Sequence, residues 1–256
     1  MGSGVTIQSA GPKLKGYVSR PPSSSAVGAA RPGLVICHGF PATAEAAKGD
    51  DGSFPKLADR LAGETGWTVL TFNFRGTGRS EGDFSLGGWL ADIGAAIDYM
   101  LEVEQVTGVW LAGFSTGGSL AICTAGEDER VRGIAALGAT ADFHAWAEDS
   151  EAFLARARSV GVIRTPGEPG DPALWARELH EIRPLALIGK IPPRSVLLVH
   201  GVDDRMVSVV EARVLADAAE EAVELRLIPG AGNSLRHDPR AVAVLLGWLD
   251  RQHTTP

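Results

Sequence analysis

Continuous hydrophobic stretches of strand length recur along the chain and alternate with segments of mixed polar and apolar character. Unbroken runs of Val, Ile and Leu are typical of parallel sheets that are covered by helices on both sides. The runs that predict such buried strands are 33–38, 67–74, 106–114, 131–138 and 195–201. Shorter runs that predict further strands are 5–9, 13–18 and 223–228.

The segments between these strands carry apolar residues at helical spacing. The segment 86–103 shows this most clearly, and 53–64 has Ser53 as the expected N-cap with Pro55 in the first turn. Further helices are predicted at 116–125, 208–221 and 239–251. Repeated strand–helix units predict an α/β fold with a mostly parallel central sheet and helices on both faces.

The segment 142–183 departs from this alternation. It is rich in charged residues, reads as helical and is interrupted by TPGEPGDP at 165–172. We therefore expect a small helical cap, inserted into a single domain that spans residues 1–256. Its large apolar side chains either line an acyl pocket or pack the cap onto the core. They are Phe143, Trp146, Phe153, Trp175 and Leu179.

Composition excludes several classes of protein. The net charge of −7 argues against a nucleic-acid binder, which needs a basic face to meet phosphates. No apolar run is long enough for a transmembrane helix, and no secretory signal is visible, so we expect a cytoplasmic protein. Cys37 and Cys123 lie in apolar runs and show no metal-binding or redox spacing. No motif calls for a cofactor or a metal.

The pentapeptide GFSTG at 113–117 places Ser115 at the junction of a predicted strand and a predicted helix. Alone it is a weak signal in a glycine-rich chain. At this junction, however, a tight turn would hold the serine hydroxyl exposed above the sheet edge, as in a nucleophile elbow. The N–H of Thr116 could then stabilise a developing oxyanion. A glycine-rich turn with a helix-capping serine is the other interpretation.

Two more motifs follow the ends of predicted strands. In CHGFPA, residues 37–42, the turn after the histidine could offer the Phe40 N–H as a second oxyanion donor, with the histidine bracing the loop. A plain strand-end turn is the alternative. In VHGVDDRMV, residues 199–207, either Asp203 or Asp204 could orient a catalytic histidine, although an acid at this place can also cap a helix.

The order of these motifs, together with NFRGTGRSEG between them, resembles the α/β-hydrolase superfamily and most closely its small bacterial esterase and acyl-hydrolase branch. The resemblance covers about residues 30–251. It implies a hydrolase of small acyl esters that works through an acyl-enzyme. The roles that it implies are nucleophile for Ser115, acid for Asp204, and oxyanion donors for the amides of Phe40 and Thr116.

The catalytic histidine of that family falls at the position that is Asn233 in this sequence. An amide donates and accepts hydrogen bonds but takes up no proton near neutral pH, so it cannot serve as general base. The resemblance therefore implies impaired turnover. His237, four residues further on, is the alternative base. A protein that only binds ligands, or uses only the oxyanion hole, is the alternative function on the same fold.

Overall fold

The computed structural model describes residues 2–22, 31–49, 52–220 and 223–252. Its centre is an eight-stranded sheet. The strands are β1 Ser3–Gln8, β2 Lys13–Ser19, β3 Gly33–Cys37, β4 Thr68–Phe72, β5 Val109–Phe114, β6 Val131–Leu137, β7 Ser195–Gly201 and β8 Glu224–Ile228. Their order across the sheet is β1-β2-β4-β3-β5-β6-β7-β8.

The sheet is antiparallel at one edge and parallel elsewhere. Strand β2 pairs antiparallel with both β1 and β4, and all other neighbouring strands run parallel. Every residue of β3 and β4 is buried. This explains why these strands read as unbroken apolar runs, since helices cover both of their faces. The predicted α/β fold with a mostly parallel sheet is confirmed.

Ten α-helices and two short 3-10 turns occur within the described residues. The helices are α1 Ala44–Ala47, α2 Ser53–Thr65, α3 Leu86–Glu102, α4 Thr116–Glu127, α5 His144–Ala147, α6 Ser150–Ser159, α7 Pro172–Glu181, α8 Pro184–Leu187, α9 Val209–Ala218 and α10 Pro239–Gln252. The 3-10 turns are Ile188–Lys190 and Leu235–His237. No helix in these ranges combines the length and the apolar character needed to cross a bilayer.

The helices form two layers around the sheet. Helices α2 and α10 pack on one face around the fully buried Trp67 and Trp248. Helices α3, α4 and α9 pack on the other face, where Trp89 lies in the core. Full burial of a large apolar side chain contributes roughly 1.5–3 kcal/mol, so these two layers hold the sheet edge in a fixed geometry.

Some helix boundaries differ from the sequence-based prediction. Ser53 is not the N-cap of α2: Gly52 caps the helix with φ 82°, and the Ser53 hydroxyl accepts a hydrogen bond from Arg236 Nε instead. Helix α9 ends at Ala218, before the predicted limit, and position 221 lies outside the described residues. A tertiary contact thus takes the hydroxyl that local sequence assigns to capping.

The segment 142–183 contains α5, α6 and α7 and no strand within it. Its large apolar side chains are mostly buried, and they stack on one another and on the core. Ring centroids lie 4.1 Å apart for Trp146 and Phe153 and 5.7 Å apart for Phe153 and Trp175. The Trp175 indole N–H donates to the Phe84 carbonyl at 3.1 Å. The aromatic residues of the segment therefore attach these helices to the core.

Candidate active site

The serine of the GFSTG motif lies on a strained turn between β5 and α4. Ser115 has φ 50° and ψ −125°, a positive-φ conformation that costs a non-glycine residue about 1–3 kcal/mol and is found mostly at functional sites. Its N–H donates to the Leu137 carbonyl at 2.8 Å, and its own carbonyl accepts from the Gly118 N–H at 2.8 Å. The residue is only partly buried. Surrounding hydrogen bonds thus hold this strained turn at the carboxyl edge of the sheet, which is the geometry expected of a nucleophile elbow.

Three glycines make this turn possible. A methyl group at Gly117 would overlap carbonyl oxygens at the end of β3, and a methyl group at Gly113 would overlap the Gly117 carbonyl. A methyl group at Gly39 would lie 2.9 Å from Ser115 Cβ. Real Cβ atoms do not approach that closely. The loop after β3 therefore passes directly beside the serine, and only glycine permits the approach.

Phe40 and Thr116 are the two residues whose amides the resemblance assigns to the oxyanion hole. Thr116 is the first residue of the 12-residue α4, whose first N–H groups have no partner within the helix and lie at its positive end. Phe40 follows Gly39 in the loop beside Ser115. The Phe40 ring contacts the rings of Phe84, Trp146 and Phe153, with centroid separations of 5.1, 5.4 and 5.3 Å. The helices of the 142–183 segment thus pack onto the loop that carries the Phe40 amide.

His38 braces the same loop. Its Nε2 accepts from the Phe74 N–H at 3.2 Å, so Nδ1 carries the proton and donates to the Gly39 carbonyl at 2.8 Å. Burial lowers the pKa of His38 to about 4; the nearby charge of Arg236 acts in the same direction, while the Gly39 hydrogen bond opposes it. The ring is therefore neutral near pH 7 and engaged through both nitrogens, which makes it unsuited to act as a general base.

The carboxylate that reaches residue 233 belongs to Asp204. Its Oδ1 accepts from the N–H groups of Met206 and Val207 at 2.8 and 3.0 Å, and its Oδ2 accepts from Asn233 Nδ2 at 2.9 Å. Asp203, in contrast, is exposed. Three hydrogen bonds thus fix the direction of the buried Asp204 carboxylate.

His200 is a residue of this site that sequence reasoning missed. Its side chain is 0% exposed, and its Nε2 donates to the Val207 carbonyl at 3.0 Å. The same nitrogen lies 3.7 Å from Asp204 Oδ2. Nδ1 is buried and has no partner among the described residues. A histidine inside an apolar strand, four residues before the acid, is the sequence signal that indicates this contact.

Asn233 sits where the loop after β8 returns to the sheet edge. A methyl group on Gly138 would lie 3.6 Å from Asn233 Nδ2 and 3.8 Å from Asp204 Oδ2. Gly138 directly follows Leu137, whose carbonyl accepts from the Ser115 N–H. The end of β6 therefore connects the serine turn on one side with the Asp204–Asn233 pair on the other.

His237 occupies a different setting. It ends the 3-10 turn Leu235–His237, its N–H donates to the Ser234 carbonyl at 3.0 Å, and the residue is exposed. Leu235 of the same turn is buried. The turn thus directs Leu235 into the core and leaves His237 at the surface, unlike the partly buried Asn233.

A buried ion pair beside the site was not anticipated from the sequence. Asp92 is fully buried in α3 and accepts from Arg75 Nη2 at 2.7 Å, from the Arg75 N–H at 2.8 Å and from the Ser9 hydroxyl at 2.7 Å. These bonds hold the start of the NFRGTGRSEG loop against the helix. A buried carboxylate is costly unless it is paired, so the single acid within the apolar face of α3 is the signal for such a partner.

The two cysteines offer no reactive thiol. Both are buried and free. Burial raises the pKa of the Cys123 thiol to about 12 and raises the pKa of Cys37 as well. Within the described ranges, no cluster of three or more His, Cys, Asp or Glu side chains is arranged to hold a metal ion.

Known structures share this architecture. Est1E from Butyrivibrio proteoclasticus is similar with a TM-score of 0.70 and 20% identity, over 98% of this chain and 97% of that chain. The esterase Pf2001 from Pyrococcus furiosus is similar with a TM-score of 0.70 and 18% identity, over 98% and 92%. The α/β hydrolase GrgF from Penicillium sp. sh18 is similar with a TM-score of 0.73 and 18% identity, over 99% of both chains. These neighbours share the fold of this chain.

The sequence itself carries a family match. No curated protein sequence matches the chain significantly. The model of the family described as the alpha/beta hydrolase fold matches residues 32–159, which is half of the chain and includes the serine turn. With the strand order of the sheet and the motifs at its carboxyl edge, this match shows that the chain belongs to the α/β hydrolase fold family.

Proposed function

We propose that the protein is a serine-nucleophile hydrolase of small carboxylic esters or thioesters, with turnover limited by Asn233. The observation that carries this proposal is the strained positive-φ turn at Ser115, which costs free energy and leaves the residue partly exposed. The hydrogen bond from Asn233 Nδ2 to Asp204 Oδ2 supports it, because the acid is oriented as a catalytic histidine would need it.

In the proposed mechanism, Ser115 Oγ attacks the acyl carbonyl carbon and the leaving alcohol or thiol departs. The N–H groups of Phe40 and Thr116 stabilise the charge that develops on the carbonyl oxygen. Water then attacks the acyl-enzyme and releases the acid. The helices α5, α6 and α7 serve as the cap, and Trp146 and Phe153 pack it onto the Phe40 ring beside the proposed oxyanion hole.

The proton of the serine hydroxyl is the weak point of this mechanism. Asn233 donates through Nδ2 to Asp204, so its other amide atom, Oδ1, faces away from the carboxylate. That oxygen can accept a hydrogen bond from the serine hydroxyl but cannot take up its proton. The proton then leaves to solvent, and both acylation and deacylation are slow.

A second candidate function is acyl-ligand binding without turnover. Asn233 favours it, because the residue bonded to Asp204 is an amide that cannot carry a proton.

His237 is the alternative base. Its exposed place at the end of its 3-10 turn favours a surface role over that of a catalytic base.

The test is covalent labelling by p-nitrophenyl acetate. p-Nitrophenolate leaves without taking up a proton, so acylation by this ester is impaired less than deacylation. We therefore expect intact-protein mass spectrometry to detect one acetyl group on the wild type and none on Ser115→Ala. Ser159→Ala, which changes an exposed serine at the end of α6, is the matched control and retains the label. Release of p-nitrophenol that is equal in wild type and Ser115→Ala, with no adduct, rejects the nucleophile and leaves ligand binding as the function.

A further inference from the structure

Arg236 lies in the turn that carries Asn233 and is held in a fixed position. Its guanidinium carbon is 5.3 Å from the centroid of the Phe54 ring, and its Nε donates to the Ser53 hydroxyl at 3.1 Å. The residue is partly buried. Stacking on an aromatic face and one hydrogen bond together restrict the long side chain to one direction.

This cation lacks an acidic partner among the described residues. No carboxylate forms an ion pair with Arg236, and its terminal amino groups donate to no acceptor there. Arg240, four residues on, pairs with Asp238 at 2.7 Å, and the partly buried Arg75 pairs with Asp92 at 2.7 Å. Partial burial of an unpaired charge is unfavourable. An anion that binds the fixed guanidinium would therefore be favourable.

The surroundings of Arg236 add positive potential instead of balancing it. Ser53 and Phe54 are the first residues of the 13-residue helix α2, whose positive end faces this region. The charge of Arg236 also lowers the pKa of His38, which holds the Gly39 carbonyl, and Gly39 lies beside Ser115. The Phe54 ring on which Arg236 stacks lies, between centroids, 6.2 Å from the His38 ring and 5.6 Å from the ring of Phe114, the residue before Ser115. The cation is thus linked to the serine loop through one aromatic ring.

We propose that Arg236 is a binding subsite for a carboxylate carried by the ligand, so that the protein prefers acyl ligands with a second, ionised acid group. The planar guanidinium presents parallel N–H donors that match the two oxygens of a carboxylate. This inference rests on the proposed function, because it places the ester of the same ligand at Ser115.

Calorimetry on the full chain carrying Ser115→Ala tests the charge preference without turnover. The probes are monomethyl succinate and dimethyl succinate, which differ by one methyl group and one negative charge. The expected result is a Kd about tenfold lower for the monomethyl ester. Its carboxylate would pair with the partly buried guanidinium, and such a charged hydrogen-bonded pair contributes more binding free energy than a fully exposed ion pair does. Raising the salt concentration reduces the difference.

Arg236→Gln removes the preference and Arg236→Lys retains part of it, while the matched control Arg240→Gln leaves the ratio of the two Kd values unchanged. Thermal melts of each variant verify that the fold is kept. Equal Kd values for the two esters in the parent, or a preference that survives Arg236→Gln, overturn the inference. That failure is distinct from failure of the proposed function, since acetyl labelling of Ser115 by the neutral p-nitrophenyl acetate does not depend on Arg236.

Discussion

The two sides of the candidate site differ in which catalytic features they retain. The serine side, formed by Gly39, Phe40, Ser115 and Thr116, keeps the steric conditions for a partly exposed serine on a strained turn. The acid side, formed by the loops after β7 and β8, keeps an oriented Asp204 carboxylate but bonds it to the amide of Asn233. In the proposed mechanism, proton transfer needs an imidazole at that place.

The two sides differ because the serine turn is held by backbone packing, whereas the acid side is held by a side-chain hydrogen bond. The serine turn depends on close backbone contacts among several residues. A single substitution such as Gly117→Ala disturbs it, because the added methyl group would overlap neighbouring backbone atoms. The acid side depends on a hydrogen bond to Asp204, which the amide of Asn233 forms. In the proposed mechanism, an asparagine at the position of the base thus keeps this hydrogen bond but provides no proton transfer.

The largest expected effect is restoration of the base. Asn233→His places an imidazole against Asp204 Oδ2, and kcat for p-nitrophenyl acetate rises by several orders of magnitude, up to about 10⁶-fold, the scale on which a serine hydrolase loses activity with its histidine. Steady-state kinetics measures it. His237→Ala serves as the control and changes little. An unchanged rate in Asn233→His, together with loss of activity in His237→Ala, would identify His237 as the working base.

The next effect concerns the acid in the restored enzyme. Asp204→Asn in the Asn233→His background lowers kcat by about 10⁴-fold, because the carboxylate no longer fixes the tautomer or stabilises the imidazolium. The matched control is Asp203→Asn, which changes an exposed neighbour and keeps the rate. If the two variants lose activity equally, the loop is important as a whole and Asp204 has no separate role.

The serine turn is tested through stability. Gly117→Ala lowers the free energy of unfolding by about 3 kcal/mol or more, since the new methyl group would overlap the backbone carbonyls of Cys37 and His38. Gly63→Ala is the matched control. Gly63 lies in α2 with open space around it, so the free energy of unfolding of this variant rises by about 0.5–1 kcal/mol. Urea titrations measure both. Equal changes in the two variants contradict the steric account.

The smallest effect is a pH dependence of stability from His38. Its folded pKa of about 4 lies below the usual 6.5 of an unfolded histidine, so the unfolded state binds the proton first as pH falls. Stability is therefore complete above pH 6.5 and decreases by about 3 kcal/mol as pH falls to about 4. His38→Gln flattens this part of the profile, and the exposed His144→Gln does not. Parallel profiles for wild type and His38→Gln contradict the prediction.

Much of the fold and part of the site follow from local sequence. Nearly unbroken apolar runs identify β3, β5 and β7, because a strand buried on both faces has few polar positions. The position of Ser115 between a strand and a helix follows from the same pattern with its flanking glycines. These features depend on residues that are neighbours in the chain, so periodicity and steric permissiveness suffice to find them.

Contacts between distant segments were decided by tertiary structure. The resemblance assigned the acid to Asp204, but its hydrogen bond to Asn233 depends on how the loops after β7 and β8 meet at the sheet edge. The link from His200 to Val207, the burial of Asp92 against Arg75, and the capture of the Ser53 hydroxyl by Arg236 are of the same kind. Each joins side chains whose distance and direction arise only when the sheet brings separate loops together, and no local pattern encodes that geometry.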